Sequence, residues 1–369
     1  MLKPSSIQEL QDMVTSHDRV LAVGGRTKTR LSAIEDCQII STQGLSGITE
    51  YEPSEYTFTA LAGTPVKDIH AAVQAKGQFL PCSALLRDSG ATLGGAIASG
   101  LSGPGRFRFG GLRDFLLGIQ YVAGDGKLIS SGGKVVKNAA GFDLPKFMVG
   151  SLGRYGILTE VTFKVFPKPT SLVTLQVDCA HVHEAVDRMV QAAAARWELY
   201  AIDYDASVKR LYLRIGGPVE AVDAITQEIH HTWQGCVETL TQAESDYYWD
   251  SVRELRWMPE GGCLAKVPLT PKKIPVLQER LNQIPDVRAH YSVAGNVAGI
   301  STPNPTSLFD LGTRLRDQKL TGLTIMGDKD TPLWLGERPS TTIETALKNA
   351  LDPQHRFPPI TDHGSPITL

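Results

Sequence analysis

Apolar and polar positions follow two different rhythms along this chain, and the change falls near residue 168. In the first part, Ile7, Leu10 and Val14 recur at helical spacing. Ser6-Ile7-Gln8-Glu9, just after Pro4, reads as a capping box that starts this helix. Val20–Val23 is a short apolar run with the signature of a buried strand, and further strands are expected near 38–42 and 57–62. The next helix is bounded by Thr64 as N-cap, Pro65 in its first turn and Gly77 at its end, with Ile69, Ala72 and Val73 facing inward. Leu116–Val122 reads as a strand that turns at Gly124-Asp125-Gly126 into 128–130, a hairpin signal. Residues 161–165 alternate with Thr162 and Lys164 outward and form the last strand of this part. Short strands, many turns and few helices argue for an α+β fold rather than a doubly wound sheet.

Pro167-Lys168-Pro169 marks a domain boundary, and beyond it the order of elements becomes regular. A strand at 172–177 precedes a helix with Val182, Ala185, Val186, Met189, Val190 and Ala193 on one face. Strands near 199–204 and 210–215 follow, then a helix through Val222, Ile225 and Ile229. After an acidic, aromatic insertion at 238–257 the order recurs: a strand at 263–267, a helix through Ile274, Leu277, Leu281 and Ile284, strands at 288–292 and 297–300, a helix through Leu308, Leu311 and Leu315, and a closing strand at 323–326. A β-α-β-β-α unit written twice, in the ferredoxin-like manner, predicts an antiparallel sheet with helices on one face. Thr341-Thr342-Ile343-Glu344 caps a last helix.

Glycine changes this picture. Of 35 glycines, 17 lie between Gly90 and Gly156. Glycine loses more backbone entropy on folding than any other residue, so such density implies either tight turns or close approach of the backbone to a large anionic group. Upstream, the strand Val20–Val23 runs into Gly24-Gly25-Arg26-Thr27-Lys28-Thr29. Two glycines followed by hydroxyl residues let successive N–H groups converge into an anion nest, with Arg26 and Lys28 adding charge. A Walker A loop needs Gly directly before its Lys-Ser/Thr pair, and Thr27 stands there instead. A Rossmann fingerprint needs Gly-x-Gly-x-x-Gly, which Gly24-Gly25 does not supply.

Val23 to Thr29, then Thr92-Leu93-Gly94-Gly95 with Ala98-Ser99-Gly100, then Gly110, Arg113-Asp114 and Gly118, resemble the flavin-binding domain of the vanillyl-alcohol oxidase / p-cresol methylhydroxylase family. Lys137-Asn138-Ala139-Ala140-Gly141-Phe142-Asp143-Leu144-Pro145-Lys146 and Gly150-Ser151-Leu152-Gly153-Arg154-Tyr155-Gly156-Ile157 narrow the resemblance to the FAD-binding subunits of bacterial glycolate oxidases. A C-terminal Leu351-Asp352-Pro353 with Phe357-Pro358-Pro359 extends it. The resemblance implies a two-part FAD-binding domain over 1–168, an α+β cap domain over 169–335, and a C-terminal segment, 336–369, returning to the FAD domain. It further implies FAD contacts from Gly24, Gly25, Arg26, Thr27, Lys28 and Thr29, from a second wall of Thr92, Gly94, Gly95 and Ser99, and from Gly153, Gly156 and Ile157 near the adenosine part. Some members link flavin covalently through His or Cys. Gly24 to Thr29 contains neither, so noncovalent FAD is expected. Lys137 and Arg113 are candidate phosphate or flavin partners, with a solvated or ion-paired role as the alternative for each.

Composition excludes several classes. A net charge of −2 without a basic run gives no reason to expect nucleic acid, and no apolar run reaches membrane-spanning length. The first residues read as a polar helix start rather than a signal peptide. Five scattered cysteines without a Cys-x-x-Cys argue for a reducing compartment and against an iron–sulfur cluster in this chain. The expected location is the cytoplasm, or the inner membrane's edge through partners.

Substrate chemistry is less legible. Oxidising an α-hydroxy acid takes a cation for the carboxylate and a base for the hydroxyl proton. The resemblance would supply a His-rich Gly-Asp-Gly-Asn motif in catalytic members, which this chain lacks. Cys179-Ala180-His181-Val182-His183 suggests metal ligation only superficially, and no metal site is expected. His230-His231 near a helix end fits a dipole contact. Trp249 and Trp257 suit a core or an interface, and Arg253 and Arg256 are carboxylate ligands by type alone. Three functions follow: an FAD-bearing subunit of a glycolate (2-hydroxy acid) dehydrogenase, working with a second flavin subunit and an iron–sulfur subunit; a self-sufficient FAD oxidoreductase acting on another alcohol or hydroxy acid; or a scaffold without flavin, which the intact glycine motifs disfavour.

Overall fold

The computed structural model describes residues 1–133, 143–338 and 342–359. Lys137 to Phe142 and the capping residue Thr341 lie outside the described residues. The chain divides into two compact units. One comprises Met1–Ser102, Gly111–Lys168 and Pro339–Leu369; the other comprises Gly103–Gly110 and Pro169–Arg338.

Among its described residues, the first unit has strands β1 (Val20–Val23), β2 (Gln38–Ser41), β3 (Ile48–Glu52), β4 (Thr57–Leu61), β5 (Gln78–Phe79), β6 (Leu116–Val122), β7 (Leu128–Gly132), β8 (Ile157–Lys164) and β9 (Phe166–Pro167). β1 and β2 pair in parallel, with Val20 opposite Gln38 and Val23 opposite Ser41. A separate antiparallel sheet runs β3-β4-β8-β6-β7, and β5 pairs with β9. The unit is therefore two-part, with the helix Ile7–Thr15 set against a core that includes Leu10, Val14, Val20, Ile40, Val122 and Ile157. Burying each large apolar side chain contributes about 1.5–3 kcal/mol. The same core takes in Phe357, and the Arg356 carbonyl accepts from Val20 N at 2.8 Å.

The second unit has β10 (Ser171–Asp178), β11 (Ala201–Asp205), β12 (Arg210–Gly217), β13 (Val237–Thr239), β14 (Cys263–Pro268), β15 (Arg288–Ser292), β16 (Val297–Thr302), β17 (Thr321–Met326) and β18 (Trp334–Gly336). Among the described residues they form one sheet of nine strands, ordered β13-β10-β12-β11-β15-β16-β14-β17-β18. The first repeat occupies β13-β10-β12-β11 and the second β15-β16-β14-β17, in mirrored order. They meet where Tyr204 lies opposite Tyr291 and Asp205 opposite His290. Helices Val182–Ala194 and Val219–Thr232 serve the first repeat; Ile274–Leu281 and Pro305–Asp317 serve the second. Leu175, Val177, Leu211, Leu213, Tyr291 and Ile300 belong to the core formed with these helices. Alternation along the strands turns Gln176, Asp203, Tyr212 and His290 to the other face.

The α+β class is the observed one, and several local expectations change. Thr64 does not cap its helix. That helix spans Val66–Gln74 with Pro65 at the cap position, while Thr64 Oγ1 donates to Leu61 O at 2.6 Å and accepts from Gly47 N at 2.9 Å. Thr64 is buried, so its hydroxyl serves the adjoining loop rather than the helix end. Ser6 does cap its helix through Glu9 N, but the Glu9 carboxylate reaches back to Ser5 N at 2.7 Å rather than to Ser6. The strand expected at 161–165 begins at Ile157. Within the glycine-rich stretch, Leu93–Ser99 is a helix, capped by Thr92 Oγ1 and ended by Gly100 at φ 63°. The acidic, aromatic insertion holds β13 and a helix, Gln242–Arg253, started by a Thr241–Glu244 capping box.

Candidate functional site

The site is built at the C-terminal end of β1. Its apolar residues pair with β2, and the chain must then turn sharply. Gly24 and Gly25 make that turn, and neither tolerates a Cβ. At Gly24 it would lie 2.0 Å from Thr92 Oγ1, and at Gly25 1.8 Å from the Gly90 carbonyl oxygen. The first two glycine-rich segments therefore touch each other. Arg26 then adopts φ 52°, the left-handed half of a nest. Among the described residues, the N–H groups of Gly25, Arg26 and Thr27 donate to no protein acceptor.

The third glycine-rich segment joins them through the end of the helix Leu93–Ser99. Gly150 N donates to Ile97 O at 3.0 Å and Leu152 N to Ala98 O at 2.8 Å. These bonds satisfy carbonyls that a helix end otherwise leaves open. Two adjoining cavities result, both walled in part by Ala22, Val23, Gly24, Gly95, Ala98 and Leu152. They form one groove within the first unit.

Most of the residues selected from sequence come together here. Gly24, Gly25, Arg26, Thr27, Lys28, Thr92, Gly95 and Ser99 line the first cavity; Gly94, Gly95, Gly153, Gly156 and Ile157 line the second. Thr29 lines neither and opens a short 3-10 turn, Thr29–Ser32. Lys28 is buried, its Nζ 3.2 Å from Thr27 Oγ1. Ser99 Oγ donates to Ala96 O at 2.9 Å, so its proton is already engaged. Thr92 Oγ1 accepts from Gly95 N at 3.3 Å and keeps its own proton to donate. Arg113 is exposed, and Lys137 lies outside the described residues.

Sequence reasoning missed the hydroxyl with the clearest vacancy in its bonding. Ser151 Oγ is buried, lies in the wall of the second cavity and has no hydrogen-bond partner among the described residues. Its signal in the sequence was a hydroxyl residue set between Gly150 and Gly153; both glycines adopt positive φ, 85° and 69°. Thr42 was also missed; it lines the second cavity and donates to Val23 O at 3.3 Å. Among the described residues no Asp or Glu lines either cavity. Open N–H groups, an unengaged hydroxyl and nearby cations suit an anionic group such as a diphosphate.

The second unit holds the other candidates. His181 caps the helix Val182–Ala194, its Nδ1 accepting from Glu184 N at 3.2 Å, and His183 packs edge-on to it. Among the described residues no three His, Cys, Asp or Glu side chains gather to hold a metal ion. His230 Nε2 is 2.9 Å from Thr239 Oγ1. Trp249 is buried and donates to Thr174 Oγ1 at 2.9 Å, a core role. Arg253 pairs with Asp250 at 2.5 Å and Glu254 at 3.4 Å, and Arg256 is exposed.

A cluster not foreseen from sequence sits on the face of this unit's sheet opposite the four repeat helices, the face that the helix Gln242–Arg253 covers in part. Asp203 is fully buried; its Oδ1 accepts from Ser292 Oγ at 2.7 Å and its Oδ2 lies 3.6 Å from His290 Nε2. Tyr248 OH is 3.2 Å from the same nitrogen, and its ring stacks on Tyr212 at 3.6 Å. Trp257 stacks on His290. Tyr212, Tyr248, Trp257 and His290 line a cleft beneath the helix Gln242–Arg253. Burial pushes the Asp203 carboxyl up to about 6, opposed by His290 and the Ser292 hydroxyl. The folded protein thus holds this proton more tightly than the unfolded chain does. Its contribution to stability is present below about pH 4 and is lost as pH rises to about 6. Unfolding measured from pH 4 to 7 should show Asp203→Asn gaining stability relative to wild type as pH rises, and parallel curves would refute this assignment.

Residues 1–132 match the FAD binding domain family, so the first unit carries an FAD binding domain, and its cofactor is FAD. The chain is 34% identical to glycolate oxidase subunit GlcE of Escherichia coli (strain K12) over 59% of this chain and 61% of that protein. It is 30% identical to glycolate oxidase subunit GlcD of Bacillus subtilis (strain 168), over 53% of this chain and 43% of that one. It is 31% identical to a D-2-hydroxyglutarate dehydrogenase of Xanthomonas citri pv. viticola, over 47% and 38%. The chain thus spans less than two thirds of the length of these relatives. Alkyldihydroxyacetonephosphate synthase shares the fold, with a TM-score of 0.68 at 14% identity over 98% of this chain and 76% of the synthase.

Proposed function

We propose that the groove of the first unit holds FAD without a covalent bond, and that the chain is the FAD-bearing subunit of a 2-hydroxy acid dehydrogenase, with glycolate as substrate. One observation carries the reading: three glycine-rich segments, far apart in sequence, converge on a groove of open N–H groups with no carboxylate in its lining among the described residues. Gly25, Arg26 and Thr27 meet the diphosphate through their N–H groups, with Lys28 and Arg26 supplying charge. Ser151 and Thr92 donate hydroxyl protons, and Gly153, Gly156 and Ile157 lie along the adenosine part. FAD, when bound, supplies the electron-accepting chemistry that oxidising glycolate to glyoxylate needs. A second flavin subunit and an iron–sulfur subunit complete the enzyme in this reading, and the chain acts in the cytoplasm or at the inner membrane through them. The similarity to two glycolate oxidase subunits supports this assignment.

A second reading, a self-sufficient FAD oxidoreductase for another alcohol or hydroxy acid, is favoured by the Asp203–His290–Tyr248 cluster. A histidine beside a buried carboxylate is a ready general base. The test is the visible spectrum of the chain purified alone, before and after anaerobic glycolate. The subunit reading expects a flavin spectrum that stays oxidised, with the flavin released into the supernatant by acid. Bleaching by glycolate would transfer the substrate site to this chain. A colourless protein that takes up no FAD would overturn both readings.

A further inference from the structure

Arg154 stands out among the buried groups. It is 1% exposed, and only Nη2 is engaged, donating to the Leu31 carbonyl at 3.3 Å. Nε and Nη1 have no hydrogen-bond partner, and no carboxylate pairs with the guanidinium among the described residues. The charged and titratable groups that bear on it are the Cys37 thiol and the guanidinium of Arg30, which is also buried. Lys348 Nζ donates to its carbonyl oxygen at 2.5 Å, adding another cation nearby. Burial pushes Arg154 down to about 10, so it remains charged at neutral pH. A buried cation without a counter-charge destabilises a folded protein.

Its place points to what such a residue does. Arg154 lies between Gly153 and Gly156, both in the wall of the second cavity. Leu31, whose carbonyl it holds, lines the first cavity with Arg26, Thr27 and Lys28. Arg154 is thus tied to the walls of both cavities, to one through its chain neighbour Gly153 and to the other through the Leu31 carbonyl. In a low-dielectric interior a charge acts across such distances far more strongly than in water.

We propose that Arg154 is a positioning residue for a diphosphate in this groove: it fixes the Leu31 carbonyl and supplies the interior positive charge that the diphosphate neutralises, while lowering the stability of the cofactor-free protein. The proposal rests on the reading of the groove as the FAD site. Apoprotein melting temperature and affinity then move in opposite directions when the charge is removed, which a merely structural arginine does not do.

The test uses the full chain as wild type, Arg154→Met and Arg154→Lys. Melting of each apoprotein is followed, and binding of FAD, ADP and riboflavin is titrated. In Arg154→Met the apoprotein should melt about 3 °C higher or more. FAD and ADP should each bind about tenfold weaker or worse, with riboflavin unaffected because it lacks the diphosphate. Arg154→Lys, which keeps the charge, should hold FAD within about threefold of wild type. A Met variant that fails to fold or melts lower marks a structural arginine and overturns the proposal, as does unchanged affinity for FAD and ADP. Wild-type chain that binds neither FAD nor ADP overturns the groove reading itself. Wild type that binds them, with a Met variant that binds equally well, overturns only the role of Arg154.

Discussion

Gly25→Ala is expected to disrupt the folded first unit before any ligand is considered. The added Cβ would sit 1.8 Å from the Gly90 carbonyl oxygen and 2.8 Å from its carbon, both backbone atoms. No rotamer relieves that contact, so either Gly24–Thr27 or the 90–92 segment must move. Overpacking of this kind costs about 3 kcal/mol or more where the backbone has to yield. Gly153→Ala is the useful contrast. Its Cβ has room, the nearest atom being Ala22 Cβ at 3.9 Å, but its φ of +69° strains any other residue. That strain costs about 1–2 kcal/mol. Unfolding of the two apoproteins by denaturant should therefore separate them clearly. A Gly25→Ala chain that is as stable as wild type yet binds no FAD would show that the glycine serves the ligand rather than the fold.

The second large effect lies in the C-terminal segment of the same unit. Asp352 is 0% exposed and accepts three hydrogen bonds: from Lys348 Nζ at 2.7 Å, Phe357 N at 2.9 Å and Arg356 N at 3.1 Å. Asp352→Ala would leave a mostly buried ammonium and two N–H groups without their acceptor. Removing one partner of a buried pair typically costs about 3–5 kcal/mol, because the other charge stays behind. Adding Lys348→Met should restore a substantial part of the loss by removing the stranded charge, and a double-mutant cycle on chemical denaturation measures it. Losses that simply add would mean that the two side chains do not depend on each other. The segment matters to the candidate site because Arg356 and Phe357 brace β1, from which the Gly24-Gly25 turn departs.

Both cases bear on what sequence could reveal. The double β-α-β-β-α order was legible because period-2 and period-3.6 patterns report which side of an element is buried. Leu175, Leu211 and Ile300 all turned out to be core. Gly24 and Gly25 were legible as special, but only part of what they do could be inferred. They were read as letting successive N–H groups converge into an anion nest; in addition, Thr92 and Gly90 occupy the directions their side chains would take. Gly124 was read as part of a hairpin turn, yet a Cβ there would meet Asp352 Oδ1 at 2.3 Å, from a segment far along the chain. In each case the neighbour that excludes a side chain is distant in sequence, so no local pattern could name it.

The chain's own pattern therefore determined its α+β class, its repeated second half and the three glycine-rich segments, because these depend on local backbone freedom and on which face of each element is apolar. Only the tertiary structure decided that those segments share one groove, that Thr29 stands outside it, and that Ser151 and Arg154 carry polar atoms without partners among the described residues. It also brought Asp203, His290 and Tyr248 together from two strands and a helix. Hydrogen-bond satisfaction and burial of charge are properties of atoms that meet in space, and residues far apart in sequence carry no record of that meeting in local composition.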